Sequence, residues 1–255
     1  MQQSIDVLKT MAKKYGSNEY ADVVTSLELV NEPISWDQNN FTKTQEWAKE
    51  AYGVVRDAAE NKDLRIVMHD GFEGPSKWQT VGASLNGNLT QARAGFAIDV
   101  HLYQNQEAAD KQLSQSQHID RACNTWPKTE LLPKGSQLPV YVGEFTPATD
   151  ICAYEGSDKT TGGDSCSENE CQCSCNQDIT IWRAPLKAAT GKFFEAQIDA
   201  FEQTAAGWFV WSWKGPGAWG LQNLIQQEII ADHVTERKYA PQCSFSAGNA
   251  TAAAY

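Results

Sequence analysis

The sequence predicts an α/β fold of the (β/α)8 barrel type, with about the last five β/α units present in this chain. Three observations lead there. Short apolar runs rich in β-branched and aromatic residues alternate with longer helix-like segments, the order that favours a parallel sheet. Polar or aromatic functional groups follow every one of those runs, as the C-terminal rim of a barrel requires. The runs are spaced by roughly 30 to 65 residues, so about three further units would be needed to close eight strands. A flat, doubly wound five-stranded sheet is the rival, but no glycine-rich phosphate loop recommends it.

Taken in order, residues 4–15 place Ile5, Leu8, Ala12 and Tyr15 at helical spacing, with Ser4 as a cap and Gly16 as a stop. Five strands are expected at Leu27–Val30, Leu64–Met68, Gly95–Val100, Pro139–Val142 and Trp208–Trp211. Between them, helices are expected at Thr44–Ala59, Gln104–Ala122 and Lys192–Thr204. The strands end in Asn31-Glu32, His69-Asp70, His101 with Tyr103, Glu144, and Trp211 with Trp213. Residues 1–255 are expected to form a single catalytic domain. The polar, cysteine-dense stretch at about 155–177 reads as a surface insertion pinned by disulfides.

A formal net charge of -11 argues against a nucleic-acid or anionic-membrane partner, because the long-range term would be repulsive. No apolar run reaches the roughly 20 residues of a membrane span, and residues 1–25 lack a signal-peptide core. Seven cysteines nevertheless point to an oxidising compartment, and sequons at Asn40, Asn88 and Asn249 point the same way. A secreted chain without a leader implies that the natural N-terminus lies further upstream. The Cys171-Gln172-Cys173-Ser174-Cys175 spacing does not match zinc ligand pairs, so no metal and no cofactor are expected. With an odd cysteine count, one thiol must stay outside any intrachain pairing.

Two glutamates at the ends of different parallel strands suit glycoside hydrolysis, where one carboxyl donates a proton and the other attacks or activates water. Glu32 and Glu144 are that pair; surface or helix-capping glutamates are the alternative. Pro33 stiffens the loop carrying Glu32, and Gly143 leaves room beside a sugar ring at Glu144. Asn31 suits a sugar 2-hydroxyl or a turn. Tyr103 shares a face with His101 if the strand continues, and either orients Glu144 or is a buried, satisfied tyrosine. His69 and Asp70 either meet sugar hydroxyls or form a structural pair. Trp211 and Trp213 have the same strand parity and offer flat surfaces for pyranose stacking, with Trp219 in the next loop. Trp47, Trp182 and Trp208 read as core.

The motifs N-E-P at 31–33, M-H-D-G-F at 68–72, D-V-H-L-Y-Q at 99–104, V-G-E-F at 142–145, F-F-E-A-Q-I-D-A-F-E at 193–202 and W-F-V-W-S-W-K at 208–214 resemble the fungal exo-β-1,3-glucanases of glycoside hydrolase family 5. The likeness covers nearly the whole chain, ending with Q-C-S-F at 242–245. It implies a retaining mechanism with Glu32 as acid/base and Glu144 as nucleophile. Asn31, His101, Tyr103 and Trp211 would line the terminal glucose subsite, with His69 and Asp70 near the sugar. It also implies a Cys123–Cys243 bridge and a second bridge from Cys152 into the cysteine-dense loop. The expected protein is a secreted or cell-wall monomer that needs no metal and acts on β-glucan. Family members carry about three more β/α units before N-E-P, and they place an aromatic where this chain has Gln106. Candidate alternatives are therefore a β-1,6- or mixed-linkage glucanase, or a non-catalytic glucan-binding fragment.

Overall fold

A computed structural model describes residues 2–37, 39–90, 93–133, 136–167 and 170–244. The Asn249 sequon lies outside the described residues, as does Phe245 of the last motif. The chain divides into two compact units, Met1–Val100 with Thr129–Tyr141, and His101–Lys128 with Val142–Tyr255.

In the first unit, α1 (Gln2–Tyr15) buries Ile5, Leu8 and Ala12 against the next helix, which the spacing of its apolar residues requires. Strand β1 (Ser26–Glu28) is short, and Leu27 alone turns inward between exposed Ser26 and Glu28. Leu29 prolongs the ladder by donating its N–H to the Val67 carbonyl at 2.9 Å. Helix α2 (Phe41–Ala58) starts where the Asn40 side chain accepts the Lys43 N–H, and it buries Trp47, Ala48, Ala51 and Val55. Strand β2 (Arg65–His69) pairs parallel with β1, Leu27 opposite Ile66. It is buried from Ile66 onward, as a strand covered on both faces must be. Helix α3 (Gln79–Asn86) ends in a buried Asn86 whose carboxamide pairs with both the N–H and the carbonyl of Phe96, fixing the start of β3 (Phe96–Leu102). Strand β3 runs parallel to β2.

The boundary between units passes through β3 and through β4 (Val140–Phe145), so the second unit holds their C-terminal ends. Between these strands lie α4 (Gln115–Asp120) and α5 (Trp126–Thr129). A three-stranded antiparallel sheet follows, formed by β5 (Ile151–Tyr154), β6 (Thr160–Gly162) and β7 (Cys171–Cys173) in the order β6-β5-β7. Helix α6 (Ala184–Thr204), β8 (Gly207–Val210) and α7 (Leu221–Gln226) complete the chain. The main sheet has the order β1-β2-β3-β4-β8, and a helix follows each strand. Five β/α units in sequential spatial order are the arc of a (β/α)8 barrel.

The core of the second unit is aromatic. Phe145 stacks on Phe194 at 5.8 Å and meets Phe201 edge-on at 5.0 Å, while Trp126 stacks on Phe201 at 6.0 Å. Each ring removes enough apolar surface from water to contribute about 1.5–3 kcal/mol. Buried Glu195 of α6 accepts the N–H groups of Lys238 and Tyr239 at 2.6 and 3.0 Å and so ties down the segment after α7. Gly191 permits that approach, since a Cβ there would lie 2.4 Å from the Ile229 carbonyl.

Two expectations need correction. The helix expected over Gln104–Ala122 is broken. Leu113 is extended (φ -78, ψ 132), and the Ser114 capping box with Gln117 starts α4 afresh, so the amphipathic pattern spans two short elements. The surface insertion expected at about 155–177, read without any strand of its own, contains β6 and β7. Its cross-strand pairs with β5 are too short and polar to announce strands in sequence. Among the described residues no helix is long and apolar enough to cross a membrane.

Candidate active site

Each unit carries its own set of strand-end residues. In the second unit, Glu144 lies at the penultimate position of β4, with a side chain only 14% exposed. His101 and Tyr103 stand two residues apart at the end of β3 and so face the same way. The Tyr103 hydroxyl donates a short hydrogen bond to the Glu144 carboxylate. His101 Nδ1 lies 3.4 Å from the same oxygen of Glu144. A phenol hydrogen bond to a carboxylate fixes its orientation.

Aromatic surface flanks this cluster. The Trp219 ring lies 5.7 Å from that of Tyr103. Trp211 follows β8 directly, and its N–H donates to the Phe145 carbonyl at 2.9 Å, which ties the residue to the end of β4. Trp211 and Trp213 are each about half exposed, at 50% and 56%. The peptide between Trp211 and Ser212 is cis. Trp182 is buried, whereas Trp208 is half-buried and meets Phe145 edge-on.

In the first unit, Asn31 and Glu32 lie just past β1, beyond Leu29 and Val30. Asn31 is exposed and Glu32 is half-buried. Glu32 has φ of 44°, a left-handed conformation that costs a non-glycine residue roughly 1 kcal/mol. His69 is fully buried, and its Nδ1 accepts the Gly71 N–H at 3.0 Å. Asp70 accepts the N–H groups of Phe72 and Gly74, both at 2.9 Å, and its carbonyl accepts the Trp78 indole N–H at 2.8 Å. Burial pushes the Asp70 carboxyl up to about 6, opposed by those two backbone donors and aided by the charges of Glu130 and Asp99. Asp70 therefore shapes the turn after β2 through its carboxylate. Gly71 takes φ of 71° in that turn, where a Cβ would lie 2.5 Å from the Ser35 hydroxyl.

The turn presents Phe72, which is 49% exposed and lies 6.1 Å from the equally exposed Trp36. Sequence reasoning missed this aromatic pair. Its only linear signals were Trp36, four residues past Glu32, and the phenylalanine of H-D-G-F, and neither reveals that the two loops meet.

The cysteines resolve into three bridges, Cys123–Cys243, Cys152–Cys173 and Cys166–Cys171, with Cys175 exposed and outside them.

Parallel β/α units with carboxylate, imidazole, phenol and indole groups at the strand ends define an α/β protein of the (β/α)8 type. Comparison narrows that class. The chain is similar to Glucan 1,3-beta-glucosidase of Candida oleophila, with 30% identity over 95% of this chain and 56% of the relative. Glucan 1,3-beta-glucosidase I/II of Saccharomyces cerevisiae is 30% identical over 93% of this chain and 53% of its own length. Probable glucan 1,3-beta-glucosidase A of Emericella nidulans is 29% identical over 96% and 58%. The chain thus spans about half the length of the curated relatives it matches. No protein-family model matches it. Among solved structures, an endo-glycoceramidase II from Rhodococcus sp. overlaps 89% of this chain and 45% of its own, with a TM-score of 0.49 and 17% identity.

Proposed function

We propose that this chain is the catalytic part of a retaining glycoside hydrolase that releases glucose from β-1,3-glucan. The observation that carries the reading is the convergence of Tyr103 and His101 on the Glu144 carboxylate. Glu144 attacks the anomeric carbon and forms a glycosyl ester, and the leaving oxygen takes a proton from Glu32. Glu32, now ionised, takes a proton from water, which releases the sugar with net retention. Asn31, His101, Tyr103 and Trp211 are assigned to the terminal sugar, with Trp213 beside it, while buried His69 supports the turn after β2 through Gly71. In this reading Asp70 acts by holding the turn after β2, and the Trp36–Phe72 pair supplies a stacking surface for the polymer. Similarity to fungal glucan glucosidases supports β-glucan as substrate and a cell-wall setting. Residues 1–255 then serve as a single, monomeric catalytic domain, without metal or cofactor.

A 2-fluoro-glucosyl fluoride, which forms the ester quickly and loses it slowly, tests the mechanism. The expected result is one glucosyl adduct, mapped to Glu144 by peptide mass spectrometry and absent from Glu144→Gln. Laminarin hydrolysis that persists in Glu144→Gln, or an adduct elsewhere, overturns it.

A further inference from the structure

We propose that His118 is a positioning residue for the reaction, clasping the Gln104 side chain so that the neighbouring Tyr103 stays aimed at the Glu144 carboxylate. This role rests on the retaining-hydrolase reading above, in which Glu144 attacks the sugar. All four residues belong to the second unit.

Burial alternates along the end of β3. Leu102 and Gln104 are only 5% and 1% exposed, whereas His101 and Tyr103 are half-buried and point to the opposite face. Gln104 therefore turns away from Glu144, toward α4. There its carboxamide meets a single residue twice. Nε2 donates to the His118 carbonyl at 3.2 Å, and Oε1 lies 2.7 Å from His118 Nδ1. Asn105, the next residue, donates to the Ala148 carbonyl at 2.8 Å. Two successive anchors thus follow Tyr103, and the backbone carrying its phenol has little freedom.

The clasp also fixes a proton. A backbone carbonyl only accepts, so the Gln104 amide nitrogen must face it and the amide oxygen must face the ring. His118 Nδ1 then carries the hydrogen, and the lone pair falls on Nε2, which is buried and has no hydrogen-bond partner among the described residues. The ring is neutral. Burial pushes its pKa down to about 4, the Arg121 guanidinium adds to that, and Asp110 opposes it. His118 is itself held in place. It is fully buried, its ring lies 5.3 Å from that of Phe193 in α6, and Gln115 on the same short helix donates to the Ala189 carbonyl at 2.9 Å. The fresh helix start at Ser114 gives α4 a role, as the platform for this ring.

Removing the donor while keeping a planar ring separates aim from bulk. On an aryl β-glucoside, His118→Phe should lower kcat about tenfold with KM changed less than about twofold, since small misplacements of reacting groups cost up to ~100-fold. His118→Asn, whose amide nitrogen can stand where Nδ1 stands, should bring kcat back to within about threefold of wild type. In a Tyr103→Phe background, His118→Phe should cost less than about twofold more, because both changes disable one device. Full additivity of the two losses, or an Asn variant no better than Phe, overturns the inference. Should His118→Phe fail to fold, the unaltered chain supplies the test. Long-range proton–nitrogen NMR of histidine-labelled protein at neutral pH, with His118→Asn identifying the signals, should find the His118 proton on Nδ1. A proton on Nε2 overturns the clasp. A glucosyl adduct on Glu144 with additive losses sinks the positioning role alone. A wild type that neither hydrolyses laminarin nor forms the adduct sinks the catalytic reading with it.

Discussion

Tyr103 and Asp70 show how differently two strand-end residues act, each within its own unit. The Tyr103 hydroxyl reaches Glu144, and a hydrogen bond to a charged group contributes about 1.5–3 kcal/mol. If that stabilisation holds Glu144 ready for attack, Tyr103→Phe should lower kcat by roughly 10- to 100-fold, measured on an aryl glucoside. An unchanged kcat would reduce Tyr103 to packing. Asp70 bears on stability. Its folded value of about 6 stands above the ordinary 3.8, so the folded state keeps the proton between those values while the unfolded state loses it. Its contribution is therefore complete below pH 3.8 and is lost as pH rises through about 6, by at most about 3 kcal/mol. In Asp70→Asn that slope should vanish, so the difference in melting temperature between wild type and variant should change sharply across this window. A difference constant with pH would refute the assignment.

At the scale of elements, strand existence was the most legible feature, because runs such as Ile66–Met68 are apolar throughout and only a covered parallel strand needs that. Strand ends shifted by one to three residues, since ladder pairing rather than composition decides where a strand stops. Glu32 and Glu144 could be singled out as candidates because each closes an apolar run. The Trp36–Phe72 contact was hidden because it depends on how two loops fold back, and Asp70's grip on Phe72 and Gly74 is likewise a property of the turn. The broken helix after β3 was hidden for a local reason, the cap at Ser114 interrupting an amphipathic run. On the glucan reading, Trp36→Ala should raise KM for laminarin severalfold while leaving kcat for a small aryl glucoside within about twofold, since remote stacking adds uniform binding. A fall in kcat on the small substrate would place Trp36 at the reacting sugar instead. The Cys152–Cys173 bridge spans β5 and β7, and its loss in Cys152→Ser/Cys173→Ser should cost about 3 kcal/mol by the chain-entropy relation for 21 residues. Denaturant melts of that variant give the measurement.

For the molecule as a whole, the Cys123–Cys243 bridge is the longest covalent constraint, joining residues 120 apart within the second unit. Loop-closure entropy for that span is about 5 kcal/mol, so Cys123→Ser/Cys243→Ser should lower stability by up to that amount in urea titrations. A loss below about 1 kcal/mol would show that the bridge merely decorates a chain already held by α6 and its aromatic core. The same bridge makes the polymer between Cys123 and Cys243 a macrocycle that contains Glu144, the antiparallel sheet and α6. Exposed residues 155–159 form the turn between β5 and β6, a natural target for a protease. A cut there opens the ring without detaching either piece, and the two halves should separate on a gel only after reduction. Backbone cleavage and loss of the fold are thereby uncoupled.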